Sequence, residues 1–331
     1  MIRGGAIGDF ILTLPAIKGL RDAYSAVQID ILGYRHIAAL AENRFYADRV
    51  RSIESGELSR FFAKAAELPR ELANYFAEFD LIISYLYDPD SIFEDNLRRC
   101  GAKRIIQGPA RVDHQSHATR QLARPIEELG LRISDFAPKL FPSVEDRHRA
   151  AGFLAGLSAP IVAFHPGSGS DKKNWPLENW IRLGDHFLNS RSGGCNLSAV
   201  AEAAEIDKRR SGERRSLLVV SGEADEERLG QLESIWRSRR VLFAKDLPLT
   251  ELAAILENTI FVGHDSGVSH LAAAAGASCI LLFGPTDPAI WAPLNENARV
   301  IRAPNGDFIR LDVDLVSAAL DQELMRIGIS T

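Results

Sequence analysis

The stretch from Thr259 to Ala277 constrains this chain more than any other. An apolar run, Thr259-Ile-Phe-Val262, stops at Gly263, and two good capping residues, Asp265 and Ser266, follow. Val268, Leu271, Ala272 and Ala275 then recur at helical spacing. The pattern reads as a strand that enters a helix through a tight turn. Backbone N–H groups at Ser266 and Gly267 would point outward from that helix start, with partial positive charge behind them. Gly267 would let an anion approach closely. Taken alone, the stretch reads equally as an ordinary capped helix or as an anion site.

The same arrangement recurs along the chain. Gly4, Gly5 and Gly8 form a loop before a helix carrying Ile11, Leu12, Ala16, Ile17 and Leu20. Its G-G-x-x-G pattern falls short of the G-x-G-x-x-G of a dinucleotide site. This weighs against a nicotinamide-dependent oxidoreductase, although Asp30 lies near the expected distance for the acidic partner. Only three residues precede the loop, so its strand is expected to be very short or to begin upstream. Asp9 reads either as the cap of the following helix or as a carboxylate aimed into a cleft as general base. Further on, strand Pro160–His165 leads into Pro-Gly-Ser-Gly-Ser-Asp-Lys-Lys-Asn-Trp-Pro176. Backbone amides with a lysine ammonium suit a diphosphate, and a polar surface loop is the plainer reading. Gly284-Pro-Thr-Asp-Pro288 is a third polar loop at a strand end.

Between these loops, strands and helices alternate. Strands are expected at 27–33, 49–53, 80–86 and 103–107, with helices at 35–43, 57–76, 92–100 and 117–129. After a break at 137–142, helices are expected at 146–157, 225–236, 249–257 and 315–326, with strands at 217–221, 241–244, 279–283 and 300–302. Such alternation implies an α/β fold with parallel sheets covered on both faces. Ligands in such sheets collect beyond the carboxyl ends of the strands. The expected division is an acceptor domain over 1–145, a donor domain over 146–311 and a closing helix over 312–331 that has the option of packing back on the first domain. The polar segment 190–216 reads as a mobile, exposed insertion with a helix over 197–209.

Composition narrows the function. At 331 residues the chain has room for two domains. A net charge of −5 gives it no general attraction to nucleic acid. Cys100, Cys195 and Cys279 lie far apart and form no C-x-x-C, which argues for a reducing compartment and against a disulfide framework or zinc site. No signal peptide or membrane-length apolar run is present, so a cytoplasmic protein is expected, with peripheral contact at the inner face of the cytoplasmic membrane left open. Asp88-Pro-Asp90 resembles a D-x-D metal motif but lacks the further oxygen ligands a divalent cation needs. Neither metal nor cofactor is expected. Arg60, Lys64, Arg120 and Arg124 read as solvated helix faces or as contacts to an anionic acceptor.

Three separated stretches together resemble glycosyltransferase family 9, the ADP-heptose:lipopolysaccharide heptosyltransferases. They are G-A-I-G-D-F-I-L-T-L-P-A-I-K, H-P-G-S-G-S-D-K-K-N-W-P and D-S-G-V-S-H-L-A-A-A-A-G-A followed by L-F-G-P-T-D-P. The resemblance implies a GT-B fold, two Rossmann-like domains facing across a cleft, and metal-independent sugar transfer with inversion. It implies an ADP-sugar donor and a lipid-linked saccharide acceptor of the lipopolysaccharide inner core. It casts Asp9 as the base that deprotonates the acceptor. Lys173 would contact the donor phosphates, with Ser168 and Gly169 lining the same site. Asp265, Ser266, Gly267 and His270 match the motif that holds sugar and diphosphate, and Glu223 falls near the nucleoside. A transferase using another nucleotide sugar, or a binding protein without turnover, would carry the same fold.

Overall fold

The computed structural model describes residues 1–168, 170, 173–189, 215–222, 226–237 and 240–328. The chain divides into two units, Met1–Phe141 and Pro142–Thr331. The division falls inside the Ala137–Pro142 stretch, where prolines interrupt the alternation.

The first unit holds strands β1 (Ile2–Arg3), β2 (Asp30–Gly33), β3 (Arg49–Ser52), β4 (Ile82–Ser84) and β5 (Ile105–Gln107). Its helices are α1 (Ile7–Ala23), α2 (Arg35–Ala38), α3 (Arg70–Ala77), α4 (Ile92–Arg99) and α5 (Ala118–Glu127). The sheet runs β3-β2-β1-β4-β5, with all pairs parallel. Although β1 has only two residues, it sits in the centre, with Ile2 opposite Leu32 on one side and Ser84 on the other. The strand order reverses between β1 and β4, where a doubly wound sheet opens its crevice. Helices α1 and α5 pack together.

Two expected helices are shorter than their apolar patterns. The helix expected over 57–76 is a 3-10 turn, Gly56–Phe62, followed by the separate α3. Pro69 disfavours helical geometry at Leu68, and Ala65 takes a positive φ of 58°. The aromatic spacing was real, since Phe61 and Phe76 meet edge to face at 5.0 Å. The helix expected over 35–43 ends as α2 at Ala38, and Asn43 sits at a positive φ of 54°.

The second unit holds α6 (Val144–Phe153), β6 (Ile161–His165), α7 (Leu177–Asn189), β7 (Ser216–Ser221), α8 (Glu226–Trp236) and β8 (Val241–Lys245). It continues with α9 (Leu249–Leu256), β9 (Ile260–His264), α10 (Gly267–Ala275), β10 (Ser278–Phe283), α11 (Pro288–Trp291), β11 (Ala298–Arg302) and α12 (Val313–Arg326). The sheet order is β11-β10-β9-β6-β7-β8, again wholly parallel. This is the order of a dinucleotide-binding Rossmann sheet, with its reversal between β6 and β9. Runs such as Ile161-Val-Ala-Phe and Ile260-Phe-Val are apolar throughout because both sheet faces are covered. Trp175, Trp180 and Trp236 are fully buried in the core with Phe164, Phe187 and Val262. Helix α12, for which a return to the first domain is one expectation, places Val316, Leu320 and Leu324 in this second-unit core, against α7 and β10. Of the exposed insertion expected over 190–216, residues 190–214, with the helix expected over 197–209, lie outside the described residues, whereas Arg215 and Ser216 are buried and Ser216 opens β7, which needs its backbone inside the sheet.

Gly184 in α7 shows how tightly this core closes. A Cβ there would come 2.4 Å from the Trp236 ring. Alanine gains about 1 kcal/mol of helix propensity over glycine, but overpacking typically costs about 1–3 kcal/mol. G184A is therefore expected to lower stability, by up to about 2 kcal/mol net. All four tryptophans, 175, 180, 236 and 291, lie in this unit, so their fluorescence reports its melting. A rise in the melting temperature would show that the Trp236 ring yields freely.

Candidate active site

In the second unit, β6 and β9 are neighbours with His165 opposite Gly263. Their carboxyl ends open side by side, so the loop after β6 and the turn after β9 emerge together. That turn enters α10 through Ser266, whose hydroxyl accepts the Ser269 N–H at 3.3 Å. Ser266 is thus the helix cap, with extended backbone. Ser269 in turn donates its hydroxyl to the His264 carbonyl. Gly267 is the first helical residue. Gly263 is required by packing: a Cβ there would come 2.6 Å from the Phe261 ring.

The loop after β6 folds onto this helix start. Lys173 places Nζ 3.0 Å from the Asp265 carboxylate. The lysine side chain is 32% exposed and its carboxylate partner 10%. His270, buried one turn into α10, stands 4.0 Å from the other Asp265 oxygen. The Ser168 hydroxyl lies 2.7 Å from Asn174 Oδ1 and 3.0 Å from the Ser170 carbonyl, so its proton serves its own loop. Of the residues expected at a donor site, Lys173, Asp265, Ser266, Gly267 and His270 come together. Gly169 and Glu223 lie outside the described residues.

Two buried histidines underlie the loop. Trp175 N–H donates to His264 Nε2 at 2.8 Å, and His165 Nδ1 is 3.3 Å from the Ser266 hydroxyl. Burial lowers the pKa of His165 to about 4. Burial, with His165 close by, lowers that of His264 to about 3. Both rings are therefore neutral at ordinary pH.

In the first unit, Asp9 occupies the matching strand end. The sequence reading of Asp9 as helix cap needs correction. Helix α1 starts at Ile7, with Ala6 as its cap, and Asp9 is in the first turn. Alanine has no side-chain acceptor, so the Asp9 carboxylate reaches back to the Ala6 N–H at 3.2 Å. Gly5 makes room at a positive φ of 104°, where a Cβ would come 2.9 Å from Asp9 Oδ2. Arg3 holds Asp9 from beneath: Nη2 donates to its main-chain carbonyl at 3.2 Å and lies 3.4 Å from its carboxylate. The guanidinium is buried over the Tyr85 ring, 5.4 Å from its centroid. Burial lowers the Arg3 pKa, while Asp9 and the Tyr85 hydroxyl work against that.

The basic residues proposed for an acceptor are all exposed. Arg60 and Lys64 belong to and follow the 3-10 turn that packs on α4, whereas Arg120 and Arg124 lie on α5, which packs on α1. Arg120 stacks on Phe136, 4.3 Å from the ring centroid. Asp88 of the D-x-D stretch accepts the Phe93 and Glu94 N–H groups and so caps α4. Among the described residues, no helix is long and apolar enough to cross a membrane.

Residues 210–312 match the family model for glycosyltransferase family 9 (heptosyltransferase). The chain is 22% identical to lipooligosaccharide heptosyltransferase 2 of Haemophilus ducreyi, covering 92% of this chain and 88% of that one. The chain therefore resembles glycosyltransferase family 9 over residues 210–312 and a heptosyltransferase along most of its length. Solved structures agree on the GT-B fold. A family 9 glycosyltransferase from Veillonella parvula superposes with a TM-score of 0.74 at 18% identity, covering 98% of this chain and 96% of that one. The E. coli heptosyltransferase WaaC with ADP superposes with a TM-score of 0.67 at 19% identity, covering 97% and 98%.

Sequence reasoning about this glycosyltransferase missed Arg3, Tyr85, His165 and His264. In the sequence His165 is only the end of a strand and the first letter of a motif. Arg3 and His264 sit in strands whose neighbours are apolar, and a burial pattern gives no sign of which polar residue is held inside. One signal was available: Arg3 ends the central strand beside the first strand-order reversal, and His165 and His264 end the two strands that flank the second.

The histidines make stability depend on pH. Unfolded, each takes a proton near pH 6.5; folded, each does so only near 4 or below. Between these values the unfolded chain binds more protons, so stability falls as pH falls. Above about pH 6.5 the contribution is complete. Tryptophan-monitored melting of this glycosyltransferase is expected at a lower temperature at pH 5 than at pH 7.5. An unchanged midpoint would mean the rings are solvated.

Proposed function

We propose that this glycosyltransferase transfers heptose from ADP-heptose to a lipopolysaccharide inner-core acceptor, inverting the anomeric centre without a metal. The observation that carries this reading is Lys173, held by Asp265 at the amide-bearing start of α10, at the strand-order reversal of a Rossmann sheet. That position favours a pyrophosphate. The ADP bound by E. coli WaaC supports ADP as the nucleotide.

In the reaction, the acceptor oxygen forms a bond to the anomeric carbon as the bond from that carbon to the diphosphate oxygen breaks. The acceptor proton passes to the Asp9 carboxylate, and ADP leaves with the bonding electrons. General base catalysis of this kind contributes about 10²–10⁴-fold. Lys173 and the N–H groups at 266–267 offset the charge that grows on the departing diphosphate. Asp265 and His270 are assigned to the sugar and diphosphate, and Arg60, Lys64, Arg120 and Arg124 to an anionic acceptor. The enzyme is assigned to the cytoplasm, working at the inner face of the membrane.

D9N is expected to cut turnover by about 10²–10⁴-fold while leaving ADP affinity within about twofold. K173A is expected to weaken ADP binding about tenfold by calorimetry. Full turnover in D9N removes Asp9 as the base. Unchanged ADP binding in K173A removes the lysine from the site. Turnover with another nucleotide sugar and none with ADP-heptose reassigns the donor.

A further inference from the structure

His264 closes β9 and is 0% exposed. Its ring lies edge to face with Trp180 and with Phe308, each with centroids 5.3 Å away. An imidazole in so apolar a box needs a reason, because an unpaired buried polar group is costly. The reason is in its two nitrogens. Nε2 accepts the backbone N–H of Trp175 at 2.8 Å, so the proton belongs on Nδ1, which faces the Gly167 carbonyl at 3.5 Å. One ring therefore touches both limbs of the loop that carries Lys173. Trp175 is pinned again where its indole N–H donates to the Leu311 carbonyl at 3.0 Å. Lys173 is two residues before this anchor, and Asp265, its ion-pair partner, is the residue after His264.

We propose that His264 is a positioning residue for the donor site: by holding the Trp175 backbone, it keeps the Lys173 ammonium aimed at the start of α10 and so sets the affinity for a nucleoside diphosphate. This rests on the reading that Lys173 contacts the donor diphosphate. Leucine would fill the box without supplying an acceptor. Glutamine reaches far enough to return an oxygen near the Nε2 position, and asparagine is too short to do so.

The test is calorimetric titration of ADP into the wild type, H264Q, H264L, H264N, K173A and the H264L/K173A double variant, at pH 7.5. H264L is expected to bind ADP about tenfold more weakly, the loss of one hydrogen bond's worth of order. H264Q is expected to stay within about threefold of wild type, and H264N to resemble H264L. In the K173A background, H264L should cost nothing further, because both act through one ammonium. Wild-type affinity in H264L and H264N overturns the inference. So does a loss of equal size with and without Lys173, which marks a general packing defect. Should the leucine variants fail to fold by tryptophan fluorescence, the Gln and Asn pair decides: equal affinities overturn the proposal. K173A binding ADP as tightly as the wild type instead defeats the parent reading, and this inference with it.

Discussion

The parallel pairing of β6 with β9 is the constraint on which the second unit depends. Strands β6 and β9 lie far apart in sequence, and only sheet order makes them neighbours, with His165 opposite Gly263. Helices leaving two such strands depart to opposite sides of the sheet, so the carboxyl ends are left with a crevice that no side chain of the core fills. The long-range contacts around Lys173, Trp175 and Ser266 follow from this placement. Trp175 reaches His264, Lys173 reaches Asp265 and Ser266 reaches His165, each across about ninety to a hundred residues of chain. None of these pairs is local, so each depends on the sheet order that makes β6 and β9 neighbours.

The first unit repeats the logic with less material. Its central strand is two residues long, yet Arg3 at its end is held by Asp9 and by the Tyr85 ring. Tyr85, beneath the guanidinium, donates its hydroxyl to the Leu122 carbonyl at 2.7 Å. Gly108 lets that ring stand where a Cβ would come within 2.4 Å, and Gly33 lets β2 pass where a Cβ would come 2.7 Å from the Arg3 carbonyl. Arginine suits the position better than lysine would. One nitrogen, Nη2, reaches both the carbonyl and the carboxylate of Asp9 while the guanidinium lies over an aromatic ring.

Much of this was legible in the sequence, for identifiable reasons. Glycine loops after apolar runs mark strand ends, because only there does the backbone turn sharply against a helix. Strand and helix alternation marks parallel sheets, because the crossover helices must cover them. Lys173 with Asp265, Ser266 and His270 could be gathered from motif order. The misreadings arose where a local signal is ambiguous. Apolar spacing over 57–76 is shared by two elements of one core, and only the geometry imposed at Ala65 and Pro69 separates them. Asp9 looks like a cap because it follows a glycine, but the helix begins before it. His264 is silent because its meaning lies in Trp175, 89 residues earlier. The four basic residues proposed for the acceptor lie on elements that pack on different helices, and single charges on exposed helix faces carry no record of what they face.

Both units end in a cation and a carboxylate at the strand-order reversal, but the burial of the two partners is inverted. At Arg3 and Asp9 the guanidinium is 5% exposed and the carboxylate 36%. At Lys173 and Asp265 the carboxylate is 10% exposed and the ammonium 32%. A buried partner is the fixed one, since it gives up hydration and is held by its neighbours. The exposed partner is the one that can exchange its contact for another. In the first unit the free partner is a proton acceptor, while in the second it is a positive charge with rotatable donors. Proton removal needs the first, and an anionic leaving group needs the second. Had the inversion run the other way, the first unit would present a cation where the proposed reaction has its base, and the second a carboxylate where it has its diphosphate. Neither arrangement would assist transfer. The way each ion pair is buried therefore supports the roles proposed for Asp9 and Lys173 beside the identity of the residues.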